Sequence, residues 1–260
     1  MASVVVDIGG SGVRLAVLER GNLSTQTSKS VKSIDDLARA IRDCTQSPSA
    51  VAISLAGFVD SKSGYVRLSR SAPWSEGKFK SRLSEILGCP VAVMNDGEAH
   101  AQAINQMSGV ELGAVSLSLG TSVGMGLLDP DGRVIRPCSG ENWDIGDVQL
   151  KNTSAADPSV WWALGSQGLA DLEKKYGASA GRQRFGFRLG SYIVQLCSTF
   201  QPKTVVLSGG IAVSAWEEMK GPIRSELERV PAHFVTPRVQ LSPFAEAALV
   251  GAAYVIKPST

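Results

Sequence analysis

Two short stretches hold the residues whose types and spacing suit chemistry. The first is Val4–Leu18, VVVDIGGSGVRLAVL, where an apolar run carrying one acid meets a Gly-Gly-Ser-Gly turn and then a second apolar run. That pattern reads as strand, tight turn, strand. Glycine tolerates positive φ and close backbone approach, so Gly9, Gly10 and Gly12 can present main-chain N–H groups to phosphate oxygens. Asp7 ends the first strand, where it can hold a divalent ion. A plain hairpin is the competing reading of these residues. The second stretch is Asn95-Asp96-Gly97-Glu98, delivered by the apolar strand Pro90–Met94 just ahead of a helix expected over Glu98–Met107. Ligands gather outside the carboxyl ends of strands in open α/β sheets, and a carboxylate presented there suits a general base. On spacing alone, helix capping by Asp96 is the alternative. His100, inside that helix, reads as a packed or surface histidine.

The first stretch has an echo. Val115–Val134, VSLSLGTSVGMGLLDPDGRV, repeats it at an offset of 110, pairing Gly10 with Gly120, Ser11 with Thr121, Val13 with Val123, Val17 with Leu127 and Leu18 with Leu128. Two similar hairpins imply two similar lobes, and a nucleotide held between them would have one hairpin on each side of its phosphates.

The elements around these stretches alternate strand and helix. Asn22–Ser30 continues the first hairpin as an edge strand. Ser33–Cys44 has Ile34, Leu37, Ala38 and Ile41 at helical spacing, with Ser33 as N-cap and Asp35 and Asp36 in the first turn. A buried strand is expected in Ser49–Val59, a short helix over Gly77–Leu87, helices over Ser159–Tyr176, Gly186–Phe200 and Ala215–Val230, and strands in Pro202–Ile211 and Val239–Ser242. Pro243–Val255 is a small-residue helix suited to close packing. The loop Arg136–Leu150 gathers Glu141, Asp144 and Asp147, which either contact hydroxyls or a cation or form a solvated acidic surface.

Composition bounds the function. The 260 residues, 43% hydrophobic and 19% charged, suffice for one large domain or two lobes with their own cores. A net charge of +2 and no basic cluster interleaved with aromatics give no electrostatic footprint for nucleic acid. No apolar run reaches about 18 residues and no leader pattern opens the chain, so the expectation is a cytoplasmic protein with no membrane contact. Cys44, Cys89, Cys138 and Cys197 are widely spaced, which suggests reduced thiols mostly in or near the core.

With these pieces in order, the chain resembles the ROK sugar kinases, within the superfamily that joins hexokinases, heat-shock ATPases and actin. Asp7-Ile8-Gly9-Gly10-Ser11 is similar to the first phosphate motif, and Arg14 stands where hexokinases also carry arginine. Gly57-Phe58-Val59-Asp60, Pro73-Trp74 and the run Gly88–Asp96 follow the family's G-x-V-D, P-W and G-x-P-V-x-x-x-N-D pattern. Leu119–Gly126 is similar to the second phosphate motif, Ser208–Ile211 to the adenosine segment and Ala248–Ala253 to the closing helix. The resemblance implies an α/β fold of two RNase-H-like lobes, as in actin-like ATPases, with a nucleotide and sugar cleft between them. The first lobe would span 1–108 and regain about 244–260, and the second would span 109–243.

It also implies roles. Asp96 would take a proton from a hydroxyl, most often the 6-hydroxyl, of a hexose or an amino or N-acyl hexosamine as it attacks the γ-phosphorus of ATP. Asn95, Gly57, Ser71, Asp144 and Asp147 would contact the sugar. Asp7, Gly9, Gly10, Ser11, Gly12, Arg14, Gly120, Thr121, Ser122, Gly209 and Gly210 would hold the nucleotide, with Mg²⁺ on Asp7, through water. Family kinases are often homodimers, though no interface is located by the residues. The sugar side departs from the pattern: Ser71 replaces an asparagine, and Asp144 and Asp147 replace the glutamate and histidine of G-E-I-G-H. The cysteine-rich zinc loop is missing, since Lys151–Pro158 has no cysteine, and no zinc site is expected. Two other readings share the resemblance: a nucleotide-dependent regulatory or binding protein without kinase activity, including the family's repressors, and an actin-like ATPase, against which Asn95-Asp96 argues.

Overall fold

The alternating apolar residues of Val4–Leu18 form a hairpin buried on both faces. β1 (Ser3–Gly9) pairs antiparallel with β2 (Gly12–Glu19), from Ser3↔Leu18 to Gly9↔Gly12. The computed structural model describes residues 2–10, 12–150 and 157–256. It divides into two units, one of Met1–Gln106, Val134–Asn142 and Glu246–Thr260, the other of Met107–Arg133 and Trp143–Ala245.

In the first unit the strands run β3-β2-β1-β4-β7, with β3 at Asn22–Lys29, β4 at Val51–Leu55 and β7 at Val91–Asn95. β4 lies parallel to both β1 and β7. Side chains alternate across a strand, so Val4, Val6 and Ile8 point to one face and Val5 to the other. The first set packs with Leu37 and Ile41 of α1 (Ile34–Cys44) and with Phe79 and Leu83 of α2 (Phe79–Leu87). Val5, Ala52 and Met94 pack with Ala99 of α3 (Asp96–Ile104) and with Ala248, Leu249 and Ala252 of α8 (Ala247–Ile256). A small two-stranded sheet, β5 (Phe58–Asp60) and β6 (Tyr65–Leu68), follows β4.

Small residues let α3 and α8 touch backbone to backbone. A Cβ at Gly251 would lie 1.7 Å from the Ala99 carbonyl oxygen, so the helix that begins at Asp96 is seated by a glycine 155 positions later. Gly251→Ala is therefore expected to destabilise by about 2 kcal/mol, because backbone must move to admit the methyl. A urea midpoint equal to that of the unaltered protein would contradict this packing.

The second unit repeats the arrangement. β8 (Ala114–Leu119) and β9 (Val123–Leu128) are antiparallel, and β11 (Thr204–Ser208) lies parallel to β8 and to β12 (Arg238–Leu241), in the order β9-β8-β11-β12. That order matches β2-β1-β4-β7. The short strand β10 (Val134–Ile135) opens the segment that groups with the first unit.

Helix bounds differ from the sequence expectation where glycine or polar composition intervenes. The helix expected over 159–176 is two, α4 (Val160–Ala163) and α5 (Ser166–Tyr176). They break at Gly165, where a Cβ would lie 2.6 Å from the Thr121 carbonyl oxygen. α6 (Ala178–Phe200) begins eight residues earlier than expected. Its first turns carry no apolar stripe and are held by Arg182, which pairs with Glu173 at 2.9 Å and Glu218 at 3.1 Å. α7 (Gly209–Leu227) starts directly after β11. No helix among the described residues is long and apolar enough to cross a membrane.

Candidate active site

In the first unit, strand register gathers the charged residues. Asp7 lies opposite Arg14 in the β1–β2 ladder and beside Ser54 in the β1–β4 ladder. Opposed residues share a face, so the three side chains meet. Asp7, only 3% exposed, accepts from Arg14 Nη2 on Oδ2 and from Ser54 Oγ on Oδ1 at 2.8 Å. Arg14 also pairs with Glu246, just ahead of α8. Gly9 and Gly10 close the β1 end of the hairpin, and Gly12 has φ +126°. Ser11 lies outside the described residues.

Asn95 and Asp96 stand at the junction of β7 and α3. Asn95 caps the helix, accepting from Gly97 N at 2.8 Å, and its Nδ2 donates to the Gly57 carbonyl oxygen at 2.8 Å. Asp96 is the first helical residue, one position later than the cap. Its own Oδ1 also accepts from Gly97 N, at 3.0 Å. Burial and, second, the Asp7 charge lift its pKa to about 6, against the lowering effect of the Gly97 hydrogen bond. A carboxylate poised there can take a proton near neutral pH. His100, one helical turn on, is held mostly neutral by burial, its pKa lowered to about 4, and it feels the charges of both Asp7 and Arg14. It is thus a packed histidine, as the sequence suggests, within reach of those two charges.

The loop after β4 completes the group. A Cβ at Gly57 would lie 2.5 Å from the Leu68 carbonyl oxygen, so the fold itself requires glycine. Ser69 Oγ donates to the Ala56 carbonyl oxygen at 2.8 Å, and exposed Ser71 reaches the same oxygen at 3.5 Å. Asp7, Arg14, Asn95, Asp96, Gly57 and Ser71 thus come together through hydrogen bonds, register and charge in one unit.

The remaining predicted residues lie in the second unit. Gly120, Thr121 and Ser122 form the β8–β9 turn, with Gly120 N donating to the Ser122 carbonyl oxygen at 3.0 Å. Ser166 N, at the start of α5, donates to the Gly120 carbonyl oxygen at 2.9 Å. Gly209 opens α7 with φ +89°, and a Cβ there would lie 2.4 Å from the Leu119 carbonyl oxygen. The N-termini of α5 and α7 therefore both abut this turn, an arrangement whose N–H groups and dipoles favour an anion. Asp144 and Asp147 are exposed, and Asp144 Oδ1 accepts from Gly146 N at 2.9 Å. Glu141, read as their neighbour, is instead held by Arg67 in the first unit.

Among the described residues no group of three or more His, Cys, Asp or Glu side chains is placed to hold a metal ion. Asp7, with Arg14 and Ser54 on its oxygens, offers one carboxylate, which fits Mg²⁺ carried mainly by phosphate oxygens and water. Sequence reading missed Ser54, a lone hydroxyl in an otherwise apolar strand, and Glu246, a lone acid in a small-residue stretch.

The family model of the ROK family matches residues 3–158, and the chain belongs to that family. A glucokinase from Streptomyces coelicolor is 24% identical over 277 aligned positions, covering 87% of each chain. Among solved structures, the ROK family glucokinase from Streptomyces griseus in complex with glucose and AMPPNP has a TM-score of 0.77 at 20% identity, covering 98% of this chain and 99% of the other. A ROK family transcriptional regulator, a homologue of the E. coli MLC protein, has a TM-score of 0.81 at 17% identity, with 98% of this chain and 77% of the regulator covered. The fold is the α/β fold of these kinases, with two RNase-H-like units as in actin-like ATPases.

Proposed function

We propose that the protein is an ATP-dependent kinase that phosphorylates a hydroxyl, the 6-hydroxyl as first choice, of a hexose or an amino or N-acyl hexosamine. The observation that carries this reading is Asp96, a carboxylate at a strand–helix junction with its pKa raised to about 6 beside the buried Asp7. In the mechanism that follows, Asp96 accepts the proton of the attacking hydroxyl, and Asn95, through its bond to Gly57, fixes the loop against which the sugar rests. Phosphoryl transfer needs positioning and charge neutralisation more than covalent chemistry. Main-chain N–H groups of Gly9, Gly10 and Gly12 in the first unit suit phosphate oxygens, as do those of Thr121 and Ser122 in the second, where Gly209 and Gly210 accommodate the adenosine. Mg²⁺ would be held by Asp7 and would supply charge neutralisation at the phosphates. Ser71, Asp144 and Asp147 select the sugar.

ADP release with ATP and Mg²⁺ across hexoses, amino sugars, N-acetylated sugars and cyclitols tests this. Stimulation by one compound class supports the kinase and names its substrate. A flat panel with nucleotide still bound supports instead a nucleotide-dependent regulatory protein, the reading that the likeness to a ROK regulator favours. The pH profile is a second test, because the base must be ionised. kcat/KM is expected to fall about tenfold per pH unit below the pKa of Asp96, near 6, and to level off above it. A profile flat through pH 6 would remove Asp96 from the role.

A further inference from the structure

The segment Val134–Asn142 is tied to the rest of the first unit at three points. Arg136 lays a fork on Glu98, with Nε donating to Oε1 at 2.7 Å and Nη2 to Oε2 at 3.1 Å, and Ser61 Oγ adds a 2.6 Å bond to Oε2. Arg67 lays a second fork on Glu141, both bonds at 2.8 Å, while its guanidinium stands 4.4 Å over the Phe58 ring. Asn142 Oδ1 accepts from Val59 N at 3.1 Å.

The first tie is chemically unusual. Glu98 is 2% exposed. A carboxylate taken that far from water demands a matched cation, and a well-packed apolar residue would serve stability as well or better. Arg136 reaches Glu98 from the surface, its side chain 39% exposed, and a pair with one deeply buried member is suited to fixing a register. What it fixes here is specific. Glu98 lies in the first turn of α3, two residues after Asp96, and Val59 lies two residues after Gly57, whose carbonyl holds Asn95.

We propose that residues 136–142 form a strap that positions the sugar-binding end of the site. Arg136 acts through Glu98 on the start of α3, and Asn142 acts through Val59 on the Gly57 loop. Neither touches the reacting groups; both are positioning residues. The assignment of that end to sugar rests on the kinase reading above.

Arg136→Met, Arg136→Lys, Asn142→Ala and the double variant Glu98→Gln/Arg136→Met test it, using the sugar of highest rate in the panel and AMPPNP as the nucleotide probe. Arg136→Met is expected to raise the sugar KM by about tenfold or more and to lower kcat, the scale of a misplaced reacting group, with AMPPNP affinity unchanged by calorimetry. Asn142→Ala should raise the sugar KM alone. The double variant should regain thermal stability without regaining the KM, and Lys, which supplies charge but no fork, should behave alike. A wild-type KM in folded Arg136→Met, or one recovered together with stability in the double variant, would overturn the strap. Hydrogen exchange decides the matter independently of activity. Amides at 57–61 and 95–98 should exchange faster in Arg136→Met while those at 118–123 and 208–211 do not. If the unaltered protein releases no ADP with any sugar, the kinase reading fails, and unchanged exchange at 57–61 and 95–98 would then overturn the strap as well.

Discussion

Asp96→Asn is expected to lower turnover by about 10²-fold or more, the usual scale for losing a general base, with nucleotide affinity nearly unchanged. The amide keeps the size of the carboxylate and can still accept from Gly97 N, so helix α3 keeps its start. What it loses is the ability to take a proton. The same change should stabilise the protein at neutral pH. In the folded chain burial and the Asp7 charge raise the pKa of Asp96 from 3.8 to about 6, so the ionised form is disfavoured there relative to the unfolded state. The folded state therefore binds the proton more tightly, and stability from this group is full below about pH 3.8 and is lost as pH rises through about 6. Above that range the Asn variant escapes the penalty, and thermal melts at pH 8 should show a gain on the order of 1 kcal/mol. Slow turnover with raised stability identifies a functional group held against the fold's preference. Near-normal turnover, or slow turnover with falling stability, would instead leave Asp96 only its structural bond to Gly97 N at the start of α3.

The contrast between what was legible in the sequence and what was not has a physical basis. Local signals carried the two hairpins, because glycine turns and alternating apolar residues act within a few positions. Their offset of 110 anticipated that β2-β1-β4-β7 and β9-β8-β11-β12 would share one order. Asn95-Asp96 was legible for the same reason, as a polar pair ending an apolar strand. The strap was not. Its ties join residues 38, 74 and 83 positions apart, and nothing in RPCSGENWD announces that Arg136, Glu141 and Asn142 find partners in the first unit. The lobe expected over 109–243 is accordingly interrupted at Val134–Asn142. His100 is packed, as its place in the helix suggested, but the Asp7 and Arg14 charges around it come from sheet register rather than from its own helix. The sugar-side serine and aspartates were visible as departures from the family pattern, but composition alone does not convert them into a substrate.

Gly210→Val is expected to weaken ATP binding by about 10²-fold while leaving the fold as stable as before, and the argument turns on its neighbour. Gly209 is glycine for the sake of the chain: its φ is +89° and a Cβ would meet the Leu119 carbonyl oxygen at 2.4 Å. Gly210 is under neither constraint. It is an exposed residue in the first turn of α7, its φ is ordinary, and a Cβ there would find nothing within 4 Å. Glycine in a helix costs about 0.5–1 kcal/mol relative to alanine, so the fold alone would favour almost any other small residue. A glycine that the chain does not need is explained by something that must approach the backbone from outside, and at a helix N-terminus beside the Gly120–Ser122 turn that partner is the nucleotide of the kinase reading. The isopropyl group of valine would occupy the approach. Calorimetry with AMPPNP and a thermal melt of the same sample separate the possibilities. Lost affinity with an unchanged melt places the nucleotide against Gly210, and unchanged affinity would remove this segment from the nucleotide site.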